Sequence, residues 1–445
     1  MLTKLHTEIS SHKKVIAVYG LGNVGAPIAA AWLRAGAKVI GVDISAKLLE
    51  NIKKGKSHKK EPFISKVFSK ALDNGTLFLT MDGATASLDS HIKIVAVPVA
   101  LKNNKIDLTA LIDVTTKISK GLKRNDVVII CPSIPPGTTR RILLPLLEKS
   151  KLRGEKDFLL IYNPERIYEG RALQDIESNY PAIISGLGVK SSRFAEDLLK
   201  IISKKGVLSM SSLETAEAEK LFEGVYRDVN IALANELADY CERSGVNYWE
   251  ARRAANSQPF CHLHYPGTGV GGLCIPVYPK FVISDSKKLN MHAKLVEFSR
   301  KINDHMPVKC VSDSIDLLSK SHIKIKNSKI AVLGLAFRGE VEDARLSPTY
   351  TVVKEFLKRG CKVEVHDPYI SHDANLPRSV KLSNELESIL EDADLVFIST
   401  DHKIYANLNK KLLSKTSKPL LIFDGRNILH KDNLPNASIL TVGIR

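Results

Sequence analysis

Cys274 lies in PGTGVGGLCIPVYP, with Gly267, Gly269, Gly271 and Gly272 around it, in the most glycine-dense stretch of the chain. Glycine lets main chain approach a ligand closely, and a thiol is either a small inert apolar group or a nucleophile. Lys220, in AEKLFEG, and Glu165, in IYNPERIYEG, would supply such a nucleophile with a cation for an oxyanion and a general base. Sequence spacing alone does not bring the three together. A second group of residues offers different chemistry. GLGNVG supplies Gly20, Gly22 and Gly25 at GxGxxG spacing between a strand pattern and a helix pattern. Those glycines allow a tight turn and bring a pyrophosphate up to helix N–H groups. Asp43 ends the next strand pattern, where a carboxylate binds both ribose hydroxyls and repels a 2′-phosphate. The pattern predicts NAD in preference to NADP; a structural turn is the alternative.

The elements that must hold these residues show in the apolar runs. KVIAVY (14–19), the helix pattern after GLGNVG and KVIGVD form a β-α-β unit. Further strands are expected at 92–99, 126–133, 157–164 and 181–186, which predicts a parallel, doubly wound sheet. From Ser212 one long helical pattern follows, with Leu221, Val225, Val229, Leu233 and Leu237 every four residues, so that this face is expected to be packed. Residues 314–328 are polar and lysine-rich and are expected to be a linker. A second β-α-β unit starts at KIAVLGLAF (329–337), with Asp367 at the end of its next strand, as a counterpart of Asp43 or a plain turn residue. It lacks GxGxxG and is expected to hold a nucleotide other than NAD in the standard pose. Arg338 and Arg345 stand in its loop FRGEVEDARLSP, which is either a binding loop or an exposed charged one. The fold class is therefore α/β, an N-terminal Rossmann domain and a C-terminal Rossmann-like domain joined by a helical centre. The expected domains are 1–205, 206–310 and 311–445.

Composition narrows the partners. The chain has 445 residues, a net charge of +17 and ordinary apolar content for a globular protein. The positive charge suits nucleotides and nucleic acid alike, but the lysines are scattered and no nucleic-acid motif is present, so no nucleic-acid partner is expected. No signal-peptide core and no run of membrane-spanning length occur, which predicts a cytoplasmic location without membrane insertion. The six cysteines show no CxxC spacing, so neither a metal nor a disulfide framework is expected.

In order, GLGNVG, VAVPV, PSIPPGTT, NPERIYEG, AEKLFEG with RDVNIALANE, PGTGVGGLCIP and GLAFRGEVEDARLSP resemble the UDP-glucose/GDP-mannose dehydrogenase family over nearly the whole chain. RDVNIALANE looks most like the branch that oxidises UDP-N-acetylhexosamines such as UDP-N-acetylglucosamine or UDP-N-acetylmannosamine; UDP-glucose is the alternative substrate. The resemblance implies a four-electron, NAD-dependent oxidation of a sugar C6 alcohol to a carboxylate, serving polysaccharide biosynthesis. It also implies a homodimer through the central helix. Cys274 would trap the aldehyde as a thiohemiacetal, a second NAD would take it to a thioester, and water would release the acid. Lys220 would stabilise the oxyanion, and Glu165 would act as base, through water held by Ser133. The resemblance places Gly20, Gly22, Val24, Gly25, Asp43, Val97, Ser133, Glu169 and Arg345 at the cofactor. It places Glu165, Arg166, Lys220, Tyr265, Gly267, Gly271 and Arg338 at the substrate.

Three positions depart from the family's pattern. Gly224 stands where the family has an asparagine, Tyr278 where it has an acid, and Leu273 where a histidine is frequent. Replacement of the lost groups by others, such as Tyr278 itself, His262 or His264, is the expectation. A homologue that binds UDP-sugar without oxidising it is the competing reading. An alcohol dehydrogenase of small substrates leaves the second nucleotide-like unit unexplained.

Overall fold

The computed structural model describes residues 2–56, 61, 63–102, 105–409, 412–417, 419–429, 434 and 437–444. The chain divides after Phe222 into two units. In the first, the strands are β1 (Val15–Tyr19), β2 (Lys38–Val42), β3 (Leu77–Thr80), β4 (Ile92–Val95), β7 (Val127–Ile130), β8 (Leu159–Tyr162), β9 (Ala182–Gly186) and β10 (Val207–Ser209). A small hairpin, β5 (Ala100–Lys102) with β6 (Lys105–Asp107), stands apart. Among the described residues the main sheet runs β10-β9-β8-β7-β4-β1-β2-β3. Its pairs are parallel except β8 with β9. Runs such as VVII in β7 are buried throughout, as strands covered on both faces must be. The sheet changes direction of growth between β1 and β4, and the loops leaving both strands open at that point. The strand expected over 92–99 ends at Val95; Pro98 cannot donate to a ladder, and the following residues turn across the glycine loop.

The second unit carries β11 (Lys329–Leu333), β12 (Lys362–His366), β13 (Lys381–Ser383), β14 (Leu395–Ile398), β15 (Leu420–Asp424) and β16 (Ala437–Thr441). They form an all-parallel sheet in the order β13-β12-β11-β14-β15-β16, with its own switch point between β11 and β14. Residues expected to form a linker from 314 are instead helix as far as Lys320, the end of the helix Lys294–Lys320. Cys310, Val311, Ser314 and Leu318 are buried at helical spacing, and the lysines lie on the other faces.

The long helix spans Leu213–Ser244 and crosses the division between the units. Its predicted packed face needs correction. Leu221 is buried, but Val225, Val229 and Leu237 are half-buried and Leu233 is 43% exposed. The buried line carries Lys220, Gly224, Asp228, Asn235, Ala238 and Glu242 instead, so it is small and polar. Buried polar groups need partners, and those partners shape the site.

Candidate active site

The loop between β1 and the helix Gly25–Arg34 has the geometry that a dinucleotide requires. Gly20 has φ +88°, and its N–H donates to Val42 O at 2.7 Å. A Cβ on Gly25 would lie 1.7 Å from Gly20 O, whereas Gly22 faces open space. Gly25 therefore closes the turn, and Gly22 leaves room for a phosphate against the backbone. Val24 precedes the helix without a side-chain cap; Ala26 N–H donates to Gly22 O at 3.0 Å and Pro27 carries no N–H, so the helix start is closed by its own backbone around the glycine turn. Val97 is buried beside Gly20. Asp43 is half-buried; one carboxylate oxygen accepts from Leu21 N and the other from Ser45 N, each at 2.8 Å. The carboxylate is thus fixed at the end of β2 with lone pairs left for ribose hydroxyls. These residues fit NAD.

Glu165 follows β8 and keeps part of its surface accessible, yet its carboxylate is enclosed by protein. Burial pushes it up to about 7, against the pull of Lys220 and Arg166. The structure therefore brings Glu165 and Lys220 within electrostatic reach of each other, and Lys220 is only 7% exposed. Near-neutral titration suits a carboxylate that both takes and returns a proton. Cys131, on the same side, is fully buried, and burial with the Glu165 charge raises its thiol far above the usual range. Ser133 and Glu169 are half-buried. Arg166 donates to Pro181 O and lies 5.6 Å from the Tyr180 ring centre. Glu217, which sequence reasoning missed, accepts from the N–H groups of Gly137 and of Thr139 (2.8 Å). It ties the PSIPPGTT loop that holds Ser133 to the helix that holds Lys220.

In the second unit Cys274 stands exposed just before the helix Tyr278–Lys288. Of the other five cysteines, four are buried and Cys261 is half-buried. Tyr278 Oη donates to Cys274 Sγ at 3.3 Å. The glycines before the cysteine press main chain against neighbouring loops. A Cβ on Gly267 would come within 2.9 Å of the Arg426 guanidinium, and one on Gly271 within 2.6 Å of Phe337 Cβ. Thr268 Oγ1 and Arg426 Nε both donate to Ser399 O, at 3.0 and 2.7 Å. The glycine run thus crosses the loops that leave β14 and β15, at the edge where open α/β sheets bind ligands. Tyr265 is exposed, with the Arg252 guanidinium 3.7 Å from its ring centre.

A buried polar chain supports this run. Arg300 pairs with Asp228, Asn303 Nδ2 donates to Asp228 Oδ1 at 2.8 Å, and Asn235 Nδ2 donates to Asn303 Oδ1 at 2.9 Å. Asn235 Oδ1 in turn accepts from Gly267 N at 2.9 Å. Burial, opposed by Arg300 and Asn303, leaves Asp228 at about 6. The recurrence of Asp228, Asn235 and Glu242 every seven residues was the available signal for a polar buried stripe.

Asp367, at the end of β12, mirrors Asp43 but is fully buried. Its Oδ2 accepts from Leu335 N and Ala336 N, each at 2.9 Å, and its Oδ1 from Tyr369 N and Ile370 N. His402 Nδ1 accepts from Glu340 N, so Nε2 carries the proton and donates to Asp367 Oδ2 at 3.3 Å. Burial works to raise this carboxyl, but the His402 and backbone hydrogen bonds outweigh it and hold it below the usual range. Arg338 is half-buried near Asp401 and Asp343, while Arg345 is exposed and clasped by Asp343 at 2.5–3.0 Å.

Residues 14–203 match the NAD-binding domain of the UDP-glucose/GDP-mannose dehydrogenase family. Residues 214–305 match its central domain, and 331–431 its UDP-binding domain. UDP-N-acetyl-D-mannosamine dehydrogenase of Pyrococcus horikoshii is 35% identical over 416 residues, which cover 93% of this chain and 96% of that protein. The solved structure of a UDP-D-ManNAc dehydrogenase from that organism matches with a TM-score of 0.88 at 33% identity, over 96% of this chain and 99% of the other. An NDP-N-acetyl-D-galactosaminuronic acid dehydrogenase from Methanosarcina mazei matches with a TM-score of 0.84 at 29% identity, over 100% and 98%.

Proposed function

The chain belongs to the UDP-glucose/GDP-mannose dehydrogenase family, and from that premise we propose that it oxidises the C6 alcohol of UDP-N-acetylmannosamine to the carboxylate. The observation that carries the reading is Cys274, the one exposed thiol among six, placed at the start of a helix behind main chain packed on the nucleotide-type sheet. Bound NAD supplies the hydride acceptor for each two-electron oxidation. The chain's own residues do the rest. Gly20, Gly22, Val24, Gly25, Asp43 and Val97 hold the dinucleotide, with Ser133, Glu169 and Arg345 as further cofactor contacts. Cys274 adds to the C6 aldehyde through sulfur and keeps that carbon covalently held until water cleaves the thioester. Lys220 stabilises negative charge on the C6 oxygen, and Glu165, poised near neutrality, exchanges the protons. Arg166, Tyr265, Gly267, Gly271 and Arg338 contact the UDP-sugar. The three working segments are 1–205 for NAD, 206–310 for the cysteine and 311–445 for UDP.

The test is a panel of UDP-N-acetylmannosamine, UDP-N-acetylglucosamine, UDP-N-acetylgalactosamine, UDP-glucose and GDP-mannose, read by NADH absorbance with product quantified. Two NADH per uronate are expected, fastest with UDP-N-acetylmannosamine. Absence of NADH with every member sinks the proposal.

The long helix also supports a homodimer. Tyr226, Leu233 and Tyr240 recur every seven residues on one face and are 54%, 43% and 64% exposed. Sedimentation at micromolar concentration should give twice the chain mass; a monomer contradicts this. Among the described residues no helix is long and apolar enough to cross a membrane. Together with NAD dependence and cysteines that are all free, this supports action in the cytoplasm.

A further inference from the structure

Gly224 lies well inside a 32-residue helix, where glycine costs about 1 kcal/mol relative to alanine. Its φ is ordinary, so no turn requires it. What it faces is Tyr278. A Cβ at 224 would lie 2.5 Å from Tyr278 Cδ2 and 3.1 Å from both Cβ and Cγ. Two of those atoms sit at the root of the side chain, so the ring could not swing clear by a simple tip rotation. Phe281, fully buried, stands 6.4 Å from the same ring, centre to centre. The backbone is fixed as well, because the N–H groups of Val277 and Tyr278 donate to Cys274 O at 3.1 and 3.0 Å. With ring and backbone both held, the hydroxyl reaches Sγ at 3.3 Å.

We infer that Gly224 and Tyr278 form one device: the missing side chain at 224 seats the Tyr278 ring, and its hydroxyl is a catalytic hydrogen-bond donor to the Cys274 sulfur. The inference rests on the reading of Cys274 as nucleophile. It explains two departures from the family's pattern by one arrangement, since a larger residue at 224 would remove the seat that the tyrosine needs. The donor acts when the thioester is cleaved. Water oxygen bonds to C6, the C–S bond breaks, and its electron pair stays on sulfur. Tyr278 O–H stabilises that thiolate. One proton from the water ends on the sulfur, and the other leaves as the new carboxyl group ionises.

The experiment is iodoacetamide alkylation of the full chain across pH, followed at the Cys274 peptide, for wild type, Tyr278→Phe and Gly224→Ala. It needs neither sugar nor cofactor. A lost hydrogen bond to a charged sulfur should slow alkylation at pH 7 on the order of tenfold and move its pH midpoint upward in Tyr278→Phe. Gly224→Ala should do the same and lower the thermal midpoint, because the added Cβ overpacks the held Tyr278 ring by more than the roughly 1 kcal/mol that alanine gains in a helix. The double variant should be no slower than either single one. With substrate, kcat of Tyr278→Phe should fall about 100-fold at nearly constant KM. Unchanged alkylation in Tyr278→Phe overturns the inference. A wild type that makes no NADH with any sugar fails the functional proposal instead, and leaves the alkylation result standing as a measure of the hydroxyl–sulfur bond.

Discussion

Cys274→Ala lowers uronate formation on the order of 10⁴-fold, the scale at which removal of a covalent nucleophile acts. The expectation rests on exposure and position. The thiol projects from the residue before a helical turn, and no other cysteine is as open to solvent. Without sulfur the C6 aldehyde has no covalent anchor, so any carbonyl compound formed leaves as aldehyde. Quantifying acid by mass spectrometry, beside NADH, separates loss of the second oxidation from loss of binding. Cys274→Ser refines the test. An alkoxide is a poorer leaving group than a thiolate, so an ester should accumulate on the chain and appear as a sugar-nucleotide mass adduct. An alanine variant within tenfold of wild type, or no serine adduct under turnover, removes Cys274 from the chemistry.

Arg300→Ala should lower stability by about 3–5 kcal/mol, the effect of leaving one member of a buried ion pair alone. Asp228 has no exposed surface and accepts from Arg300 and Asn303, and Arg300 is itself 4% exposed. Asp304 adds negative charge at Arg300. The sign with pH is fixed. Burial already holds Asp228 at about 6, above the usual aspartate range, and loss of Arg300 removes the largest opposing influence. The folded variant then binds a proton more tightly than the unfolded chain, so its deficit shrinks as pH falls and is largest above neutrality. Thermal unfolding at pH 5.5 and pH 8 should show a larger drop in midpoint at pH 8. An equal drop at both contradicts the assignment of Asp228 as the uncompensated charge. Because Asn303 and Asn235 link this pair to Gly267 N, KM for the sugar nucleotide should also rise.

Most strands were legible because their apolar runs are buried on both faces, as in KIAVL and VVII. The GLGNVG turn and Asp43 were legible for a related reason, since their function is a backbone shape that only certain residues permit. Asp228 and Glu217 were not. Each is a buried acid whose meaning comes from partners 72 and 78–80 residues away, and local patterning does not encode such pairings. The long helix misled for the opposite reason. Its apolar residues at four-residue spacing read as core, yet the packed line holds lysine, glycine, aspartate and asparagine. Gly224 was visible only as a missing amide; its reason appeared once the Tyr278 ring was found against it.

The two strand-end aspartates show how a duplicated architecture can be retired from one task without a mutation at the key position. Asp43 and Asp367 occupy equivalent places and each secures the turn before it, but His402 and four amides claim every face of Asp367. Chemically, the second acid is absent to any ligand. Redesign of the C-terminal sheet toward dinucleotides would have to begin by evicting His402, and a search for such sites by sequence position alone would count one acid too many.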